Sequence, residues 1–153
     1  MEDNQFMRLE DQLSFPLYAC SREVVKLYRP YLDELGLTYT QYISMVVLWE
    51  QGQISVKELG AKLDLDSGTL TPLLKKLENK GYLQRRRSPD DERVVIAHLT
   101  DKGKALQRAA GRIPERVNQR LVAFPAKQRD DLRGLLFELL DALNEVRKAD
   151  KKK

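Results

Sequence analysis

The stretch LEDQLSFPLYACSRE, Leu9 to Glu23, holds the chain's one cysteine, Cys20, and a serine six residues before it, Ser14. A cysteine becomes a nucleophile or redox centre through its thiolate, which needs a cation or helix N-terminus beside it. Arg22 and Glu23 are near Cys20 in sequence, but nothing evident there would lower its pKa. Six residues correspond to about 600° of helical rotation, so Ser14 and Cys20 fall on different helix faces. Cys20 lies on or beside an apolar stripe of Leu13, Leu17, Val24, Leu27 and Tyr31, and is expected there as an inert, packed residue. A serine needs a general base, and the one histidine, His98, is far along the chain. One histidine and one cysteine do not make a zinc site of the usual kind. Neither an enzyme constellation nor a metal or cofactor is therefore expected. A single cysteine also excludes an internal disulfide and points to a reducing compartment, the cytoplasm. No apolar run approaches the ~18 residues of a membrane span, so no membrane partner is expected.

A second group of residues has binding rather than bond-making chemistry. The 153-residue chain carries a net charge of +4, and the charge is clustered. Lys75, Lys76, Lys80, Arg85, Arg86, Arg87 and Arg93 fall in one short span, against Glu78, Asp90, Asp91 and Glu92. Just before them, SGTLTP (Ser67 to Pro72) offers small hydroxyls at Ser67, Thr69 and Thr71. Lysine and arginine neutralise phosphates, and hydroxyls at a helix start reach base edges or phosphates. A solvated helix face and an arginine-blunted strand edge would explain the same charges without a ligand. The local elements favour the first account.

Helical periodicity runs from about Asp11 to Leu32, with an irregularity expected near Ser14 because Pro16 lacks an N–H. Thr38 or Thr40 is expected to cap a second helix, and Ser55 a short third one over Val56 to Leu63. A fourth, starting at Ser67 or Thr69 and ending at Gly81, places Pro72 in its first turn, where proline costs little. The third and fourth helices with their tight connector form a helix-turn-helix. The period then changes: Tyr82 to Arg87 and Arg93 to Thr100 read as strands around the polar turn SPDDE. A hairpin directly after a helix-turn-helix is a wing. One helix is expected from Thr100 to about Phe124, and a last one from Pro125 to Arg147 with a leucine stripe at 132, 135, 136, 139, 140 and 143. The lysine-rich tail from Lys148 is expected to fray. The fold class is mainly α with a small β-hairpin wing, in a single domain over 1–153.

The stretch LDSGTLTPLLKKLENKGYLQRRRSPDDERVVIAHLT resembles the winged-helix DNA-binding core of the MarR family, whose wing carries D-x-R and a closing L-T, here Asp91, Arg93 and Leu99-Thr100. Within that family, QLSFPLYACSRE, KLYRPYLDELGLTYTQY and DSGTLTPLLKKLE are similar to the organic-hydroperoxide sensors of the OhrR type. The resemblance implies a winged core over 38–100 and a homodimer joined by helices in 9–37 and 101–147. It implies a transcriptional repressor bound to a pseudo-palindromic double-stranded operator. The helix from Thr69 enters the major groove, with Ser67, Thr71, Pro72, Lys75 and Lys76 beside it. Arg85, Arg86 and Arg87 contribute phosphate contacts, and Arg93 reaches the minor groove, buttressed by Asp91.

In such sensors a reactive cysteine stands in the pattern Q-L-C-F. Here the residues are Gln12, Leu13, Ser14 and Phe15. The resemblance puts Ser14 at the peroxidatic position and assigns Tyr28 and Tyr39 to hydrogen-bond that position from the other subunit. A thiolate attacks a hydroperoxide and becomes a sulfenic acid, whereas a serine hydroxyl has no comparable step. The chain is thus expected to bind DNA in a reduced-like form and to be blind to peroxide through Ser14. A deliberate exchange of cysteine for serine and natural divergence both account for the residue. Two alternatives stay open: redox sensing through Cys20, and release by a small aromatic ligand in a cleft lined by Phe15, Tyr42 and Trp49.

Overall fold

The computed structural model describes residues 8–151. The chain forms two compact units, one ending at Pro114 and one beginning at Glu115.

In the first unit, a 3₁₀ turn over Leu9–Asp11 precedes helix α1, Ser14–Leu35. The helix begins later than its apolar period suggests, because Gln12 is extended. This start puts Pro16 in the first turn, where its missing N–H has no helical partner to lose. Pro30 lies within α1, and Gly36 closes the helix in the left-handed region at φ 64°. The Gly36 N–H donates to Asp33 and the Leu37 N–H to Leu32, satisfying two terminal carbonyls. Cys20 is exposed, not packed as expected. The reason is that α1 buries only Leu32, near its end, while Leu13 and Val24 of the stripe are exposed.

Helix α2, Tyr39–Gln51, is capped by Thr38 in a reciprocal box with Gln41. Strand β1, Gln53–Ser55, follows, and Ser55 with Glu58 caps helix α3, Val56–Leu63, in the same way. Three residues later helix α4 runs over Ser67–Asn79. Strands β2, Leu83–Arg87, and β3, Val95–Leu99, form the wing hairpin. The sheet has three strands in the order β1-β3-β2, all antiparallel, with Arg85 opposite Ala97 and Ile54 opposite Ala97 on the other side. The strand β1, absent from the sequence reading, is too short to carry a period of two. The hairpin turn is also longer than SPDDE, since Arg93 and Val94 stand outside β3. The core joins Leu48 and Met45 of α2, Leu59 of α3, Leu70, Leu74 and Leu77 of α4, and Leu83 and Ala97 of the sheet.

Helix α5 covers Asp101–Ala110, and α6 covers Ile113–Arg120. The expected single helix is therefore two, interrupted around Gly111, with Pro114 in the first turn of α6. In the second unit, α7 runs over Ala126–Asp150, three residues beyond the expected end at Arg147. Of the tail expected to fray, Lys148, paired with Glu145, continues the last turn, and Lys152 and Lys153 lie outside the described residues. Of the α7 stripe, Leu132, Leu135, Leu136 and Leu143 are exposed.

Candidate nucleic-acid interface

Helices α3 and α4 turn on a small set of backbone contacts. Asp64 adopts a left-handed conformation, the Leu65 N–H donates to the Gly60 carbonyl, and Asp66 begins the next helix. A Cβ on Gly60 would lie 2.9 Å from the Leu65 carbonyl oxygen. Glycine there lets the turn close this tightly.

Asp66, rather than Ser67 or Thr69, caps α4. Its Oδ1 accepts from the Thr69 N–H at 2.9 Å and its Oδ2 from the Thr69 hydroxyl at 3.0 Å. These bonds, the backbone one first, hold the Asp66 carboxyl below the usual aspartate range. The carboxylate also lies at the positive end of the helix dipole. The D-x-x-T spacing is a recognisable cap, legible in the sequence. Three consequences follow for the residues expected to meet DNA. Thr69 has its hydroxyl proton committed to Asp66. Ser67 and Thr71 are exposed and make no hydrogen bond of their side chains among the described residues. Pro72 stands at the sixth helical position, in the second turn and not the first, so the Gly68 carbonyl lacks its i+4 donor.

Thr71, Lys75 and Asn79 recur every four residues on the exposed side of α4, opposite Leu70, Leu73 and Leu77, with Pro72 and Lys76 beside them. The structure brings these together on one face.

The wing arginines divide. Arg85 turns inward: Glu78 of α4 accepts from its backbone N–H at 2.8 Å, from Nε at 3.2 Å and from Nη2 at 2.9 Å. Through Nε and Nη2 its guanidinium forms a clamp between wing and helix. The sequence alone does not single out Glu78, since carboxylate and arginine are seven residues apart in different elements. Arg86 bonds Gln84 at 2.7 Å, and Arg87 bonds the Glu92 carbonyl; both are exposed. Arg93 projects from the turn, 90% exposed, and is gripped in bidentate fashion by Asp91 at 3.0 and 3.1 Å. Arg93 in turn holds the Asp91 carboxyl below its ordinary range, through the side-chain bonds first and then the backbone N–H.

The Arg85 clamp carries a pH signature. Its hydrogen bonds, led by the Arg85 backbone N–H, lower the folded-state pKa of Glu78 below 4.5. A depressed carboxylate stabilises the fold above its unfolded value and loses that contribution as pH falls through the folded value. Glu78→Gln is expected to cost about 1 kcal/mol at pH 7. It should also flatten the acid limb of urea-melt stability below pH ~4.5.

On α1 and α2, the rings of Tyr28 and Tyr39 meet edge-on at 5.2 Å between centroids, and Tyr42 joins them at 5.9 and 6.4 Å. Burial raises all three phenols, Tyr42 to about 12. Trp49 continues the cluster and donates from Nε1 to the Gly103 carbonyl at 2.8 Å. Tyr42 and Trp49 thus pack in the first unit, while Phe15 is exposed near the start of α1. Ser14, the first residue of α1, is fourteen residues from Tyr28 on one helix, about 21 Å along its axis. One chain alone does not bring the three together. Among the described residues no cluster of metal-ligating side chains occurs, and no helix is long and apolar enough to cross a membrane.

Comparison with known proteins agrees with this architecture. Residues 26–109 match the family described as "Transcriptional regulator SarA/Rot". The chain is 43% identical over 148 residues to the organic hydroperoxide resistance transcriptional regulator of Bacillus subtilis, covering 94% of this chain and 98% of that one. It is 49% identical over 109 residues to the regulator SarZ of Staphylococcus saprophyticus, covering 71% and 75%. The structure of reduced AbfR bound to DNA superposes with a TM-score of 0.76 at 34% identity, covering 94% of this chain and 97% of that one; AbfR is a protein of Staphylococcus epidermidis. A winged helix-turn-helix carried on a mainly helical chain, matched over nearly its whole length, places this protein in the MarR/SarA family of winged-helix transcriptional regulators.

Proposed function

We propose that the protein is a homodimeric repressor of the organic-hydroperoxide-sensing type. It binds a pseudo-palindromic operator through α4 and the wing, and Ser14 keeps it in a reduced-like, peroxide-blind form. The observation that carries this reading is the near-full-length similarity to a hydroperoxide resistance regulator, combined with a serine in the first turn of α1. A helix N-terminus lowers the pKa of a thiol placed there, so a cysteine at this position would be a ready thiolate. A serine hydroxyl there lacks the oxidation chemistry.

The dimer is supported by apolar side chains left exposed in each unit: Leu13 just before α1, Phe15, Tyr18 and Val24 on α1, and Leu135, Phe137, Leu143 and Val146 on α7. Apolar surface of this extent marks an interaction site. Two-fold packing of α1 helices would bring Ser14 of one subunit to the Tyr28–Tyr39 pair of the other. Half-sites would then lie about one helical turn apart on the duplex.

The test begins with selection of a duplex from a random-sequence library by the purified protein. Cumene hydroperoxide is then titrated against the complex. The unaltered chain is expected to hold its duplex, and Ser14→Cys to lose at least roughly tenfold in affinity, a coupling of ordinary allosteric size. Release of the unaltered chain, with Cys20 found oxidised by mass spectrometry, would move the sensor to Cys20. A second reading rests on a cavity of about 350 Å³ lined by Val25, Lys26, Arg29, Leu32 and Tyr39. Lys26 bonds Glu23 at 2.6 Å and Arg29 faces Asp33, also in the lining, at 3.8 Å, so a small aromatic acid would exchange its carboxylate for theirs beside the Tyr39 ring. Release by such acids without peroxide would support that reading.

A further inference from the structure

Lys80 belongs by sequence to the basic cluster of the reading helix, yet its ammonium turns away from the others. Its Nζ donates to the Gly36 carbonyl, in the turn between α1 and α2, forty-four residues away. The Nζ also lies 3.5 Å from where a Cβ on Gly36 would stand. Position 80 follows Leu77 by three residues and Leu73 by seven, so it continues the buried stripe of α4. Lys75 and Lys76 are on the exposed side, whereas Lys80 is half-buried. Gly36 is the left-handed residue that ends α1, and Thr38, two residues on, caps α2. That turn therefore joins the helix of Tyr28 to the helix of Tyr39.

We infer that Lys80 is a positioning residue: bonded to the Gly36 carbonyl, it fixes the C-terminal end of the reading helix to the turn between the two tyrosine-bearing helices. It sets how α4 is presented to a duplex and carries a displacement of the turn to α4. A lysine acting on phosphate and a lysine acting on Gly36 differ in a measurable way. Removing a side chain that neutralises a phosphate lowers the slope of log affinity against log salt by about one. Removing a side chain that only positions the helix lowers discrimination and leaves that slope unchanged.

The inference rests on the DNA-binding reading proposed above. The test uses the full chain and the duplex it selects, with Lys80→Met, which keeps the aliphatic stem, and Lys80→Arg, which keeps donors at its tip. Lys80→Met is expected to lower the ratio of selected to random duplex affinity by roughly tenfold, with the salt slope unchanged. Lys80→Arg is expected to restore most of that ratio. In the Ser14→Cys background, Lys80→Met should also blunt release by cumene hydroperoxide. A slope reduced by about one with the ratio preserved overturns the inference in favour of a phosphate contact, and so does an unchanged Lys80→Met. Should Lys80→Met not fold, Lys80→Gln carries the same comparison. If the unaltered chain selects no duplex, the DNA-binding reading itself fails and takes this inference with it. If it does and Lys80→Met behaves like it, only the role of Lys80 falls.

Discussion

Arg93→Ala is expected to weaken binding to the selected duplex by roughly tenfold or more and to reduce the salt slope by about one. The physical reason is geometry and exposure. The guanidinium stands at the tip of the wing, 90% exposed, and its contacts are with Asp91, two residues before it. It does little for the fold and is held out from it. The planar fork keeps donors free beyond those Asp91 engages, which suits an acceptor-lined minor groove. Asp91→Ala should cost less than Arg93→Ala, since it removes the orientation but leaves the charge. Lys151→Ala is the control: it caps the C-terminal end of α7, in the other unit, and should leave affinity unchanged. Fluorescence anisotropy across a salt series measures all three. Equal effects of Arg93→Ala and Lys151→Ala would sink the assignment of the wing.

Gly103→Ala is expected to be the most damaging small substitution in the fold, costing about 3 kcal/mol. A Cβ there would lie 2.2 Å from the Tyr82 carbonyl oxygen and 2.6 Å from Leu99 Cδ1. The backbone cannot easily withdraw. The Thr100 N–H donates to that same Tyr82 carbonyl at 3.1 Å, and the Thr100 hydroxyl donates to Gly81 at 2.6 Å while accepting from Gly103 at 3.0 Å. The Gly103 carbonyl in turn receives Trp49 at 2.8 Å. One glycine thus lets the start of α5 lie on the strand entry of the wing. In an exposed helix interior alanine is better than glycine by up to about 1 kcal/mol. Gly134→Ala in α7, where nothing lies within 4 Å, should therefore not destabilise. Thermal melts followed by circular dichroism compare the two. A melting temperature for Gly103→Ala within a degree of the unaltered chain would refute the close approach.

Much of the fold is readable from short segments of residues. Helix caps at Thr38, Ser55 and Thr100 are local: a hydroxyl three residues before an unpaired N–H is satisfied by the same short segment that encodes it. The hairpin and the Asp91–Arg93 fork are local for the same reason. The positions that differ from expectation are of two kinds. Cys20 is exposed instead of packed, because periodicity reports which residues share a face and not what covers it. Pro72 lies a turn further into α4 than expected, because the cap is Asp66, one residue ahead of the hydroxyl cluster.

The sequence by itself determined the order of elements, the winged helix-turn-helix and the family, since periodicity, capping and turn chemistry act over a few residues. Only the tertiary structure decided which charges are joined to a distant element of the fold. Arg85 and Lys80 look like their neighbours in the chain. Packing delivers one to Glu78 and the other to the Gly36 carbonyl, and leaves Lys75, Arg86 and Arg93 exposed. A basic side chain is claimed inside the fold when folding brings an acceptor to it, and that acceptor comes from another element.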